Sequence, residues 1–217
     1  MKIAMVTSND EAYDALANIT YYQNKLLYCQ RHGYEAFHKN SDFAYKHLGF
    51  ARIRWMYDVL ESRPDIDWMH WSGTDTLITN FNQKLEDIID ETYQVIICGD
   101  CFALNNDSFF VKNSRVGRGF LKWILSVHDT YINHYWFEQQ AMIDFFQSAP
   151  LAKDVIKVLP QRVMNSYLYH LYPSQPHVDI TGHDGNWQPG DFMLHLPALS
   201  LEKRIEIMTE FIGKVIK

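Results

Sequence analysis

The residues best placed to do chemistry begin with Asp75. It ends the stretch Asp67-Trp68-Met69-His70-Trp71-Ser72-Gly73-Thr74-Asp75, and apolar Leu77-Ile78 follows before Asn80. The aromatic-rich run from Trp68 suits a strand buried on both faces. A carboxylate just past the C-terminal end of such a strand stands where open α/β sheets place ligand chemistry. A hard oxygen ligand there can hold a divalent cation that neutralises phosphates. The structural alternative is a strand broken at Ser72-Gly73, with Asp75 as a turn former. His195 is the second candidate, alone in the apolar run Phe192-Met193-Leu194-His195-Leu196. Such a histidine is either a satisfied core residue or a ligand. Both residues fall near the ends of expected strands. Glu138-Gln139-Gln140 opens an expected helix and reads equally as a solvated helix start. Arg52 is a candidate phosphate contact or a surface charge.

Other possible sites are weaker. His177, Asp179, His183 and Asp184 offer four ligands, but in a Pro/Gly-rich stretch, 173–190, that reads as a long loop over the site. Flexible loops seldom hold a metal by themselves. Cys98-Gly99-Asp100-Cys101 is formally a CxxC. It follows Val95-Ile96-Ile97 instead of opening a helix, and no second ligand pair is close, so neither redox nor zinc chemistry is expected. No GxSxG, HExxH or Walker motif occurs, which disfavours those hydrolases and NTPases.

The elements that must position these residues alternate between strand and helix. A first strand over 2–6 ends in Thr7-Ser8-Asn9-Asp10, a capping cluster before a long helix, 11–31, that Gly33 stops. A second strand follows at 34–38. A strand, a polar turn with free amides at a helix start and a second strand make a nucleotide-binding opening. There is no GxGxxG, so a dinucleotide fold is not expected. Periodicity then predicts a helix over 50–62, the strand 67–72, a short helix at 85–89 and a strand at 94–98. Asn105-Asn106-Asp107-Ser108 reads as a polar turn before a strand at 109–111. Helices are expected at 117–128 and 136–146, a short helix and strand within 150–160, a last strand at 191–196 and a closing helix at 201–215.

Bulk composition sets limits. The 217 residues suit one medium domain, and 47% hydrophobic against 21% charged residues describe a globular chain. A net charge of -6 without a long basic run argues against a nucleic-acid surface. An anionic ligand therefore needs local Lys, Arg, metal or backbone amides. Aromatics at 15% fit a sugar- or base-stacking site as well as a thick core. No signal peptide and no membrane-spanning stretch is read, so a cytoplasmic protein is expected.

Several segments, in order, resemble glycosyltransferase family 34, the α-galactosyl-, α-mannosyl- and xyloglucan xylosyltransferases. Leu27-Tyr28-Cys29-Gln30-Arg31-His32-Gly33-Tyr34 looks like its YC..HGY segment. Phe50-Ala51-Arg52-Ile53 is similar to its WAKI helix start, with Arg52 at the basic position. Trp68 to Asn80 resembles its W.W.DxD..I.N motif, and Ala103 to Phe109 its LNxGSF strand. Glu138-Gln139 is similar to its DQ pair, and Gly190 to His195 to its closing HF.G strand. The likeness rests on their collinearity from residue 2 to residue 200. One position departs: Gly73 stands where DxD has its first aspartate, leaving Asp75 alone.

The resemblance implies an α/β GT-A fold, a Rossmann-like mixed central sheet flanked by helices in a single domain, 1–217. Residues 1–80 would form the nucleotide-binding half, and 81–217 the acceptor half with the closing strand and helix. It implies metal-dependent transfer of a hexose-type sugar from a UDP-sugar to a glycan hydroxyl, with retention. Asp75 and His195 are expected to hold Mn²⁺ or Mg²⁺ against the diphosphate. Thr7, Ser8, Asn9 and Thr74 would line the nucleotide pocket, with Arg52 on a phosphate. Gln139 would lie beneath the anomeric carbon, with Asp107 and Glu138 near the donor sugar. The expected partners are the nucleotide-sugar donor and the glycan acceptor, with no nucleic acid and no membrane span. A protein without an anchor would resemble bacterial or large-DNA-virus members more than Golgi enzymes. Two alternatives stay open: a weak or silent relative that binds carbohydrate or nucleotide-sugar, and a sugar nucleotidyltransferase.

Overall fold

A computed structural model describes residues 1–217. Its strands are β1 (Ile3–Ser8), β2 (Glu35–Lys39), β3 (Trp68–Ser72), β4 (Thr76–Ile78), β5 (Val95–Gly99), β6 (Leu104–Lys112), β7 (Ile156–Leu159) and β8 (Met193–His195). Six of them form one sheet in the order β2-β1-β3-β6-β5-β7, and β6 runs antiparallel to both its neighbours. The pairs β1–β2, β1–β3 and β5–β7 are parallel.

Alternation along the strands splits the core. Ala4, Val6, Met69, Trp71, Phe109 and Val111 face one side, where they pack with Phe50, Ile53 and Met56 of α3 (Leu48–Ser62). The same layer takes in Leu121 and Ile124 of α4 (Arg115–Ser126) and Met142 of α6 (Phe137–Ser148). Ile3, Met5, Trp68, Ile96 and Phe110 face the other side, against Tyr28, Phe81 and Phe192. Trp68 and Trp71 are both buried, on opposite faces, as the aromatic run predicts. Burying each such side chain contributes about 2–3 kcal/mol. The short helices α5 (His128–Tyr131) and α7 (Ala152–Val155) join the larger elements.

The expected strands at 2–6, 34–38, 67–72 and 94–98 form within two residues of their predicted ends. Three expectations are corrected. The first helix is a composite: a 3-10 turn at Glu11–Tyr13, α1 (Asp14–Ala17), a π-helical stretch Asn18–Lys25 and α2 (Leu26–His32). It ends at Gly33, with φ +73, where only glycine is unstrained. The polar run 105–108 is not a turn but part of β6, because its side chains find partners in Asp100, Arg52, Glu138 and His70 instead of seeking solvent. The last strand does not join the central sheet. β8 pairs antiparallel with β4 in a separate ribbon, Thr76 opposite His195. Leu77, Leu194 and Leu196 of that ribbon pack on Ile207, Met208 and Phe211 of the closing helix α8 (Leu201–Ile212).

Segment 173–190 carries little regular structure but is tied down. The Asp179 carboxylate accepts from the backbone amides of Gln161, Thr181 and His183, and Ile180 donates its amide to the Asp100 carbonyl. No helix is long and apolar enough to cross a membrane.

Candidate functional site

The site starts from the turn between β3 and β4. The Gly73 carbonyl accepts from the amide and hydroxyl of Thr76 and from the Lys25 ammonium at 2.9 Å. Lys25 Nζ also donates to the Thr76 carbonyl at 2.7 Å. Two more side chains of the π-helical stretch hold the same backbone: Thr20 donates to the Thr74 carbonyl, and Asn24 both donates to and accepts from Ile78. All three are fully buried. Burial pushes the Lys25 ammonium down to about 7, although nearby Asp75 opposes the shift.

Out of this turn Asp75 meets two partners from distant parts of the chain. His195 Nε2 lies 3.5 Å from Asp75 Oδ2 and 3.3 Å from Asp107 Oδ2. The possible ligand atoms of Asp75, Asp107 and His195 all lie within 4.8 Å of one another. Strand pairing explains Asp107: β6 runs back beside β3, and the Gly73 amide donates to the Asp107 carbonyl at 2.7 Å. On the far side of the ring, His195 Nδ1 is 2.7 Å from Asn165 Oδ1, and both atoms are buried. With its proton on Nδ1, the neutral imidazole turns the lone pair of Nε2 toward the two carboxylates. That Nε2 is buried and has no hydrogen-bond partner.

A buried, unpartnered ring nitrogen facing two carboxylate oxygens fits a divalent cation. One nitrogen and two oxygens suit Mn²⁺ or Mg²⁺ better than a soft ion. Without such an ion the negative charge is balanced within the chain. Burial opposes a charged His195, yet Asp75 and Asp107 raise it to about 9. Burial would likewise raise Asp107, but Arg52 and His195 hold its carboxyl well below the usual range. Arg204 of α8 reaches Asp75 Oδ2 at 3.1 Å. Arg52 lies against the Trp71 ring and pairs with Asp107 Oδ1 at 2.7 Å and Glu138 Oε1 at 2.5 Å. Burial works against the Arg52 charge, but Glu138 and Asp107 outweigh it and raise its pKa.

The galactosyl transferase GMA12/MNN10 family profile matches residues 2–92 and 90–205, nearly the whole chain. The chain belongs to this family. An uncharacterized α-1,2-galactosyltransferase of Schizosaccharomyces pombe is 23% identical over 237 residues, covering 91% of this chain and 60% of its own length. A probable α-1,6-mannosyltransferase of Saccharomyces cerevisiae is 24% identical over 182 residues, covering 67% of this chain and 46% of its own. The chain thus spans about half the length of these relatives. Among solved structures, a glycosyltransferase involved in glycosylation of the major capsid of PBCV-1 superposes with a TM-score of 0.77 at 17% identity. That likeness covers 97% of this chain and 100% of the other. The fold is GT-A, in a single domain.

On this family scaffold most of the expected residues lie around one place. Ser8, Arg52, Thr74, Asp75, Asp107 and Glu138 line a cavity of about 240 Å³, and Gly49 of α3 leaves the room that the Glu138 carboxylate fills. Ser8, Asn9, Thr74, Asp75 and Arg204 line an adjoining one of about 220 Å³. The Thr74 hydroxyl donates to the Ser8 carbonyl, and Asn9 is fixed by His38 and Asp14. Thr7 is buried and lines neither cavity, since alternation along β1 turns it away from Ser8. Glu138 is no solvated helix start; it is buried against Arg52. Gln139 lies in a neighbouring cavity, where its Oε1 accepts the Asn106 amide at 3.4 Å.

Sequence reasoning missed Arg204, Asn165, Lys25 and the place of Asp107 beside His195. Lys25 left a signal, since Thr20, Asn24 and Lys25 interrupt the apolar face of the first helix at helical spacing. The others follow from pairing and packing between remote segments, which spacing does not carry. His177, Asp179, His183 and Asp184 form no metal cluster. Cys98 and Cys101 are free thiols, with Cys98 buried at the end of β5.

Proposed function

We propose that the chain is a metal-dependent glycosyltransferase that moves a hexose-type sugar from a UDP-sugar to a glycan hydroxyl with retention. The observation that carries this is the unpartnered His195 Nε2 facing Asp75 and Asp107, where Asp75 lines two adjoining cavities that carry Arg52 and Arg204 respectively. When bound there, Mn²⁺ or Mg²⁺ supplies positive charge against the donor diphosphate. Ser8, Asn9 and Thr74 orient the nucleotide, so residues 1–80 bear its side of the site and 81–217 the acceptor side. Arg204 and Arg52 stand beside the phosphates, where fixed cations stabilise the charge on the leaving group. Gln139 lies under the anomeric carbon, with Asp107 and Glu138 about the donor sugar. In the transfer, the bond from the anomeric carbon to the phosphate oxygen breaks while a bond to the acceptor oxygen forms on the same face. The hydroxyl proton passes to the departing phosphate oxygen. No side chain is assigned as a nucleophile.

Calorimetric titration with UDP, with and without Mn²⁺, tests the reading. UDP binding tightens with the metal in the native chain, and Asp75→Asn abolishes that dependence; unchanged affinities would refute the metal-assisted site. A second reading has support from Gly73 and from the Arg204–Asp75 pair, which already neutralises a ligand: a silent relative that binds nucleotide-sugar without transfer. Slow release of free sugar from labelled UDP-glucose or UDP-galactose separates the two, because a pure binding protein leaves both intact.

A further inference from the structure

Asp107 borders a second cavity of about 500 Å³, within the range of small-molecule sites. It differs in character from the two cavities already described. The one toward Ser8 and Thr74 carries Arg52, and its neighbour carries Arg204. This larger one has no Lys or Arg in its wall and includes Asp100 beside Asp107. One side of it is aromatic. Trp136 lies 6.2 Å from Tyr135 and 6.4 Å from Phe102, centroid to centroid. Tyr135 is 83% exposed and Phe102 55%, so two large rings are left in solvent at the mouth of a cavity.

The wall is built, not incidental. Asp100 Oδ1 accepts the amides of Phe102 and Ala103, which fixes the turn that presents the Phe102 ring. Asp100 Oδ2 accepts from Asn105 and from the Tyr167 hydroxyl, so the floor is held by the same carboxylate. Two of the three non-glycine residues with left-handed backbone adjoin this cavity: Phe137 at φ +45, just after Trp136, and Ala198 at φ +54, itself a lining residue. Backbone strain of this kind costs on the order of 1–3 kcal/mol per residue and collects at ligand sites.

We propose that this cavity is the acceptor subsite and that it takes a neutral pyranose at the end of a glycan. A pyranose has an apolar C–H face for the negative faces of Phe102, Tyr135 and Trp136, and a rim of hydroxyls for amides and carboxylates. With no Lys or Arg in the wall, and with Asp100 hydrogen-bonded only to neutral groups, the cavity rejects a sugar that carries a carboxylate or a phosphate. Gln139, whose amide nitrogen makes no hydrogen bond within the chain, lies where the acceptor and donor sides meet. The assignment rests on the transferase reading above.

Saturation-transfer NMR on the full chain, with UDP and diamagnetic Mg²⁺ present, tests it. The neutral probes are methyl glycosides of mannose, galactose and xylose; the anionic probes are methyl glucuronide and glucose 6-phosphate. At least one neutral glycoside binds through the C–H groups of one face. The anionic probes bind roughly tenfold more weakly or not at all. Phe102→Ala with Tyr135→Ala weakens the neutral probe about fivefold. UDP affinity measured by calorimetry then stays within about twofold, because those rings do not touch the nucleotide side. Both rings are exposed, so the core survives their removal, and Phe102→Tyr with Tyr135→Phe keeps the binding. The proposal is overturned if no neutral glycoside binds while UDP does, if the alanine variant binds it as well as the native chain, or if anionic sugars bind equally. Failure of UDP itself to bind sinks the transferase reading, and the acceptor assignment with it.

Discussion

Asp107 occupies the space that a side chain at position 73 would enter. A Cβ on Gly73 would lie 3.1 Å from Asp107 Oδ1 and 3.1 Å from Asp75 Oδ1. The second carboxylate of the site thus comes from the neighbouring strand, and Gly73 leaves it room. Asp107→Asn is expected to weaken Mn²⁺ binding roughly tenfold or more, read by the loss of free-ion signal in an electron paramagnetic resonance titration. Gly73→Asp added to that variant recovers part of the affinity. Gly73→Asp alone does not tighten binding, because a third carboxylate crowded against Asp75 and Asp107 is repelled by both. No recovery in the double variant would mean that position 73 cannot present an acid to this site. The sequence made Asp75 and His195 legible, since each lies beside an apolar run. It hid Arg204 and the place of Asp107 beside His195, because the return of α8 and the register of β3 against β6 decide them, and neither leaves a trace in spacing.

The π-helical stretch Asn18–Lys25 is the element on which the turn depends. Wider helical turns are frequent at functional sites, and here the stretch carries Thr20, Asn24 and Lys25 onto the backbone from Thr74 to Ile78. Helical periodicity predicted a helix across this region and could not reveal the π geometry, which the buried polar contacts stabilise. Lys25 has a measurable consequence. Burial lowers its pKa to about 7 from an ordinary 10.5. Between those values the unfolded chain binds the proton and the folded chain releases it, so this residue's contribution to stability rises with pH across the window. The slope is at most about 1.4 kcal/mol per pH unit. Urea unfolding of the native chain and of Lys25→Met at pH 7, 8 and 9 isolates the effect. The stability difference between them shifts toward the native chain as pH rises, and a constant difference would show that Lys25 titrates normally.

At the scale of the molecule, the site draws on both sheets and on the last helix. Asp75 leaves the central sheet, Asp107 comes from its antiparallel strand, His195 from the β4–β8 ribbon and Arg204 from α8. The alternation of strands and helices made an α/β central sheet readable in advance, and its mixed character followed only from the family resemblance. The ribbon was not readable, because three residues such as Met193–His195 look the same whichever strand they join. A ligand that bridges these parts binds the folded chain and finds no counterpart in the unfolded one. UDP with Mn²⁺ at a hundred times its dissociation constant stabilises by about 2.7 kcal/mol, which for a chain of this length raises Tm by roughly 5–10 °C. A thermal melt reads this directly. UDP alone gives a smaller rise, and Asp75→Asn removes the increment that depends on Mn²⁺. If Mn²⁺ adds the same increment to Asp75→Asn as to the native chain, the ion is held elsewhere, and the meeting of β3, β6 and β8 is a structural ion-pair cluster and not a cation site.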